Sequence, residues 1–310
     1  MLKYLVVLLD DTSPSFCHYT NSKVDRRLIA YNDLKNALIW AMKENLMVQF
    51  VYPDYALPKE YLELIDSIDH IDIEKASQDT DVSVFNGQES LTILKEKKFQ
   101  NVVLRLSKHE LFASVEDVLD ILKEQSSLNI VITDIESFKD EDFVEYKRTL
   151  DKFSVIVFDK LKANHSVNLN ILTNRILLHA MNNCNAGDES VTIAPDGKFY
   201  ACPAFYLDEM DNLASSINGL SIPNEQLYKL AYAPICKTCD AYQCKRCAWL
   251  NQKLTGEVNT PSREQCILAH LERNASSELL EAMKISGIVQ IEKSIPEIDY
   301  LDPFDNLIKK

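Results

Sequence analysis

Two hydrophobic patterns alternate along residues 1–183. Short, nearly continuous apolar runs occupy 2–9 (LKYLVVLL), 47–52 (MVQFVY), 82–85, 102–106 (VVLRL), 129–133 (NIVIT) and 154–158 (SVIVF). Unbroken apolarity marks a strand whose two faces are both covered. Between these runs, apolar residues recur at helical spacing. The stretch 25–45 places Leu28, Ile29, Leu34, Leu38 and Ile39 in this way, and 58–68, 89–98, 113–125, 140–153 and 168–183 read as further helices. Pro58 suits a first helical turn. Ser114 and Asp117 have the spacing of a capping box, with Asp in place of the usual Glu or Gln. Six β–α units in succession, joined by right-handed crossovers, predict an α/β fold with a parallel sheet and helices outside it. That count suits an open doubly wound sheet or a partial barrel.

The pattern changes over 184–266, where predicted elements are short. Residues 191–193 and 198–200 flank Ala194-Pro195-Asp196-Gly197, the signature of a hairpin. A helix is expected over 276–286, with Ser277 as its cap and Gly287 as its stop. The remainder, 288–310, mixes Pro296 and Pro303 with aromatic residues and is expected to lie irregularly along the surface. The expected organisation is therefore 1–183, 184–275 and 276–310.

Composition narrows the function classes. The 310 residues suggest about two domains. No apolar run approaches the ~20 residues that span a bilayer. The run 2–9 lacks a basic preceding region and a small-residue cleavage site, so it reads as a strand and not a signal peptide, and a cytoplasmic location is expected. A net charge of −14, with no local basic patch, disfavours nucleic acid as a partner. With 6 glycines in the chain, phosphate-cradling glycine loops are absent.

Cysteine alters the picture most. Of 8 in the chain, only Cys17 precedes residue 184. The others are Cys184, Cys202, Cys236, Cys239, Cys244, Cys247 and Cys266, spaced C-x12-G-x4-C, then C-x2-C-x4-C-x2-C, then a lone cysteine after 18 further residues. Clustered cysteines without a secretory signal point to metal rather than disulfides. Thiolates select zinc, copper(I) or iron–sulfur clusters. Seven ligands exceed the four of one tetrahedral zinc; two zinc sites would need an eighth, such as His270. An iron–sulfur cluster can leave one iron open or take another ligand.

The hairpin from Cys184 to Cys202, the later cysteine knot and the final single cysteine resemble the SPASM domain, the auxiliary iron–sulfur module of many radical SAM peptide-modifying enzymes. The family's second group usually runs C-x2-C-x5-C-x3-C; here both later gaps are one residue shorter. The resemblance implies two [4Fe–4S] clusters, one held by Cys184, Cys202 and Cys247, the other by Cys236, Cys239, Cys244 and Cys266. It also implies that the six β–α units form a partial (β/α)6 radical-SAM-like barrel. In such barrels a C-x3-C-x2-C motif after the first strand holds the catalytic cluster. Here that loop reads Ser13-Pro14-Ser15-Phe16-Cys17-His18-Tyr19-Thr20, so that Ser13 and Thr20 stand where the outer cysteines would be. The combination resembles the CXXX repeat peptide maturase family, with the radical-generating site lost.

The expected function is an iron–sulfur protein that binds a Cys-repeat precursor peptide and assists a radical SAM partner enzyme by substrate handling or electron relay. Two other readings stay open: a stand-alone peptide-modifying enzyme using Asp10, Cys17 or His18 at the barrel mouth, and a zinc-knotted structural protein. Aspartates at a strand end, such as Asp10 and Asp11, are commonly turn formers. Phe199, Tyr200, Phe205 and Trp249 flank the cysteines and are expected to shield them from solvent.

Overall fold

The computed structural model describes residues 2–214, 220, 222–242, 244, 246–290, 292, 294 and 295. In chain order its strands are β1 (Tyr4–Leu8), β2 (Met47–Val51), β3 (His70–Lys75), β4 (Val82–Asn86), β5 (Val102–Leu106), β6 (Ser127–Ile132), β7 (Asn168–Leu169), β8 (Ser190–Ile193) and β9 (Phe199–Tyr200). Helices α1 (Tyr31–Lys43), α2 (Lys59–Ile65), α3 (Leu91–Glu96), α4 (Lys108–Ala113), α5 (Val115–Glu124) and α6 (Asp140–Lys162) alternate with them. Then follow α7 (Thr173–Leu177), α8 (Pro203–Leu207), α9 (Ala248–Thr255) and α10 (Arg263–Ile285). Contacts divide the chain into two units interleaved in sequence: Met1–Val84, Cys184–Lys237 and Cys247–Thr260 in the first, Phe85–Asn183, Thr238–Arg246 and Pro261–Lys310 in the second.

In the first unit β1 is central. It pairs in parallel with β2 (Tyr4↔Met47) and with β8 (Tyr4↔Ser190), and β2 continues the parallel ladder to β3. Leu5, Val7 and Leu8 of β1 are fully buried, which explains the unbroken apolar run. Helix α1 covers the sheet with Leu34, Ala37, Leu38 and Ala41, one stripe at helical spacing. Truncating Leu38 there would cost about 2–5 kcal/mol.

The second unit carries β5, β6 and β7 in parallel register (Val102↔Leu128, Ser127↔Asn168). Its longest helices, α6 and α10, pack together. They are tied by a buried polar knot: the Tyr146 hydroxyl donates to Glu272 at 2.6 Å, and Arg175 pairs with the same carboxylate at 2.5 Å. Among the described residues, no helix is long and apolar enough to cross a membrane.

Several expected elements differ. Residues 154–158 are not a strand but the last turns of α6. The buried positions Phe143, Tyr146, Leu150, Phe153 and Val157 keep one helical stripe through that segment, while Val155 is exposed. No Gly or Pro interrupts the helix to let a strand begin. Strand β3 (HIDIEK) has no apolar run to announce it; backbone pairing with β2 makes it a strand. The helix expected over 168–183 contracts to α7, because 168–169 pair with β6.

Ser114 does not cap. It sits with φ −118° and ψ 22° at the junction of α4 and α5, away from the extended backbone that a capping serine needs. The reciprocal boxes belong instead to Ser107 with Glu110 and to Ser262 with Gln265. The latter starts α10 well before residue 276, so Ser277 lies inside a helix. Gly287 stops it, with φ 72°. Most of the tail expected along the surface (291, 293 and 296–310) lies outside the described residues.

Candidate functional site

The hairpin places the first cysteine group, and β8 and β9 pair antiparallel as the turn residues foretell (Ile193↔Phe199). Gly197 takes φ 77°, and an added Cβ would meet Asp33 Oδ2 at 2.6 Å, so the turn requires glycine. Asp196 locks the turn by accepting from Lys198 N at 3.1 Å and from the Tyr200 hydroxyl at 2.8 Å. The strand then ends and Cys202 arrives at the start of α8, where the backbone N–H groups of Ala204 and Phe205 donate to its sulfur. Cys247 repeats the arrangement at the start of α9, with donors Trp249 and Leu250.

Cys202, Cys247 and Cys184 feel one another's charge. Burial, then the neighbouring Cys247 and Cys184, push the Cys202 thiol well above its ordinary range. Burial and Cys184 push Cys247 up to about 12. Three thiols gathered where their anions repel one another are a donor set that wants positive charge among them. Trp249, Phe199, Tyr200 and Phe205 are all buried, and the Trp249 indole donates to Asp208 at 2.7 Å.

Of the second group, Cys239, Cys244 and Cys266 lie in the second unit. Cys239 accepts from Ala241 N at 3.4 Å, and Cys244 from Arg246 N at 3.3 Å. Asn183 Nδ2 donates to the Cys244 carbonyl at 2.9 Å and reaches its sulfur at 3.5 Å. His270 Nε2 lies 3.6 Å from Cys239 Sγ. The loop is held by Arg273, itself 1% exposed in its side chain, whose Nε donates to Asp240 at 2.7 Å. Burial, with the charges of Cys244 and Asp240, pushes Cys239 up to about 11. Burial and Arg273 push His270 down to about 4, leaving a neutral imidazole. Cys266 sits on α10 one turn before His270. Cys236 is buried in a short turn at 236–238 of the first unit.

Among the described residues, no three His, Cys, Asp or Glu side chains converge closely enough to grip one ion. A four-iron cluster differs from a zinc ion in spreading its thiolates over separate irons. Cys202 and Cys247, which receive two N–H donors each and are both repelled by Cys184, fit such a cluster.

The loop after β1 is built otherwise. Asp10 is fully buried and accepts from Thr12 N at 2.9 Å, Thr12 Oγ1 at 2.6 Å and the Tyr55 hydroxyl at 2.8 Å. Asp11 accepts from the Tyr206 hydroxyl at 2.5 Å, with Lys23 at 3.9 Å. Ser13 is buried; its hydroxyl donates to the Val51 carbonyl at 2.8 Å and accepts from Asp10 N at 3.2 Å. Cys17 and His18 are half-buried, Tyr19 packs edge-on against Trp249, and Thr20 is exposed. One thiol, one serine bound into the backbone and one exposed threonine do not fit a cluster needing three thiolates. Tyr55 also lines a cavity of about 440 Å³ with Tyr52, Asp54, Leu57, Glu74 and Lys75.

No family profile matches the sequence, and no curated protein matches it. Solved structures do. The structure of anSMEcpe with bound AdoMet superposes with a TM-score of 0.64 over 92% of this chain and 98% of its own, at 13% identity. The same protein with AdoMet and the Cp18Cys peptide gives 0.63, over 91% of this chain and 99% of its own, at 14% identity. With the Kp18Cys peptide the values are 0.60, 92%, 99% and 14%. The fold is that of these AdoMet-bound structures.

Sequence reasoning missed Asn183, Tyr55, Tyr206 and the Asp240–Arg273 clamp. None carries a motif, since each acts through a distant partner. The Cys266–His270 spacing, one helical turn, was the available signal for His270.

Proposed function

We propose that this chain is a cytoplasmic iron–sulfur protein of a ribosomal-peptide maturation system, which binds a Cys-repeat precursor peptide and works beside a true radical SAM enzyme. Its SPASM-like segment would hold two [4Fe–4S] clusters, one on Cys184, Cys202 and Cys247, the other on Cys236, Cys239, Cys244 and Cys266. The observation that carries this reading is the contrast between its thiols: Cys202, Cys247, Cys239 and Cys244 are half-buried, stand beside neighbouring thiols and receive backbone N–H donors, whereas the loop after β1 carries Cys17 as its one cysteine. When bound, such clusters supply one-electron transfer, and an open iron can take a thiolate.

The chain's own residues would do the rest. Backbone N–H groups stabilise the sulfurs as anions. Asp196 and Gly197 fix the turn that delivers Cys202. No step is assigned to a SAM-binding cluster. A neighbour with bound peptide at 14% identity supports peptide binding as the class of task.

The test is anaerobic purification with iron, sulfide and zinc quantitation, followed by incubation with SAM and a strong reductant. About eight irons and no catalytic 5′-deoxyadenosine are expected. Stoichiometric zinc without iron, or multiple turnovers of SAM without a partner, would overturn the reading. A second reading, a stand-alone enzyme at the mouth of the fold, is favoured by Asp10, whose partner Tyr55 lines the 440 Å³ cavity. Modified precursor formed by this chain alone would establish it.

A further inference from the structure

Beside the second cysteine group stands a ring that the four-cysteine cluster assignment leaves without a role. His270 is 8% exposed, stands on α10 one turn beyond Cys266, and presents Nε2 to Cys239 Sγ at 3.6 Å. Its other nitrogen, Nδ1, is buried without a hydrogen-bond partner among the described residues. A sulfur bound to iron as thiolate can only accept, so the ring proton belongs on Nε2, and Nδ1 is then a bare acceptor. The distance also separates two roles. At 3.6 Å from Sγ, Nε2 is too close to be the ligand of a different iron in a four-iron cluster, and it is within reach of an N–H···S bond.

We propose that His270 donates its Nε2–H to the Cys239 sulfur when that sulfur holds a cluster, and so raises the reduction potential of that cluster above that of the other. The inference rests on the cluster reading of Cys239 given above. The electrostatics are direct. Reduction adds negative charge to the cluster and its sulfurs, and a donor aimed at a sulfur stabilises the reduced state more than the oxidised one. His270 does not act alone on this sulfur, since Ala241 N donates to it at 3.4 Å. Its position is set from outside the loop. Arg273, on the next turn of α10, clamps Asp240, the residue after Cys239, so ring and sulfur are held by one helix–loop contact. His270 is thus a positioning and tuning residue that acts through Cys239.

The experiment is a potentiometric EPR titration of the full-length, anaerobically purified protein, comparing wild type with His270→Leu and His270→Gln. Leucine removes the donor, whereas the glutamine amide can replace Nε2–H. The Leu variant is expected to lower one cluster's reduction equilibrium about tenfold, a 59 mV downward shift for a one-electron couple, with the other cluster unchanged. The Gln variant is expected to recover most of the shift. No shift in Leu, an equal shift in Leu and Gln, or a shift of both clusters together would overturn the proposal.

Should the Leu variant lose iron, pulsed EPR of reduced wild type with ¹⁵N-labelled histidine decides. A weak nitrogen coupling supports a donor, while no coupling, or the strong coupling of a direct ligand, refutes it. Wild-type protein with zinc and no iron would overturn the cluster reading as well. Iron-loaded protein indifferent to residue 270 overturns this inference alone.

Discussion

The loop after β1 and the cysteine-bearing segments both gather polar side chains in buried places, and they satisfy them in opposite ways. In the loop the two carboxylates and the serine find ordinary partners: Asp10 has Tyr55 and Thr12, Asp11 has Tyr206, and Ser13 bridges Asp10 N and the Val51 carbonyl. Around Cys202, Cys247 and Cys239 the demands are left open, because buried thiols raise one another's pKa and N–H donors point at sulfurs that as thiols accept only weakly. A self-satisfied polar network is a structural solution, and an unsatisfied one of matched donors is a socket. The difference teaches that one chain can settle buried carboxylates with ordinary hydrogen bonds in one loop and leave grouped thiols without such partners in another segment.

The comparison breaks most easily at a cysteine. Cys239→Ala is expected to lose about half the iron and to unfold the cysteine segment, since cofactor binding and folding are coupled there. Cys17→Ala is expected to keep full iron and near-native stability. Iron analysis and thermal melting by circular dichroism check both, and equal losses in the two variants would erase the distinction.

Next in size is Glu272→Ala, which leaves Arg175 buried without its counter-charge and takes the partner from Tyr146. About 3–5 kcal/mol of stability should disappear, read from urea unfolding. Tyr206→Phe removes a single hydrogen bond to Asp11 and should cost about 1 kcal/mol without changing iron content. A loss of iron in this variant would tie the loop to the clusters. The smallest expected effect is the sharpest test of the closed loop. Ser13→Cys with Thr20→Cys restores the motif on paper, yet 5′-deoxyadenosine should stay at background, because residue 13 is buried against backbone groups of Asp10 and Val51.

How legible these features were depended on how local their causes are. Strand β1, the β8–β9 hairpin and the glycine of its turn follow from neighbouring residues, and all stood out in the pattern. The segment 154–158 misled because SVIVF is strand-like in isolation, and only its continuation of the stripe through Phe143, Tyr146 and Leu150 makes it helical. Strand β3 was invisible because its polar sequence becomes a strand through pairing with β2. In the candidate site, the cysteines and the empty motif after β1 were plain from spacing. The Asp240–Arg273 clamp and the His270–Cys239 contact, spanning 33 and 31 residues, follow from packing that no local pattern encodes.

Glu272 and Arg273 are consecutive residues with partners in different places. Glu272 holds Tyr146 of α6 and Arg175 of α7, while Arg273 holds Asp240 beside Cys239. One peptide bond therefore joins the interior knot of the second unit to the loop that carries two of its sulfurs. In amide-exchange terms, the middle of α10, α7 and the Cys239 loop should behave as one cooperative opening unit, with protection that rises or falls together when the loop is filled or emptied.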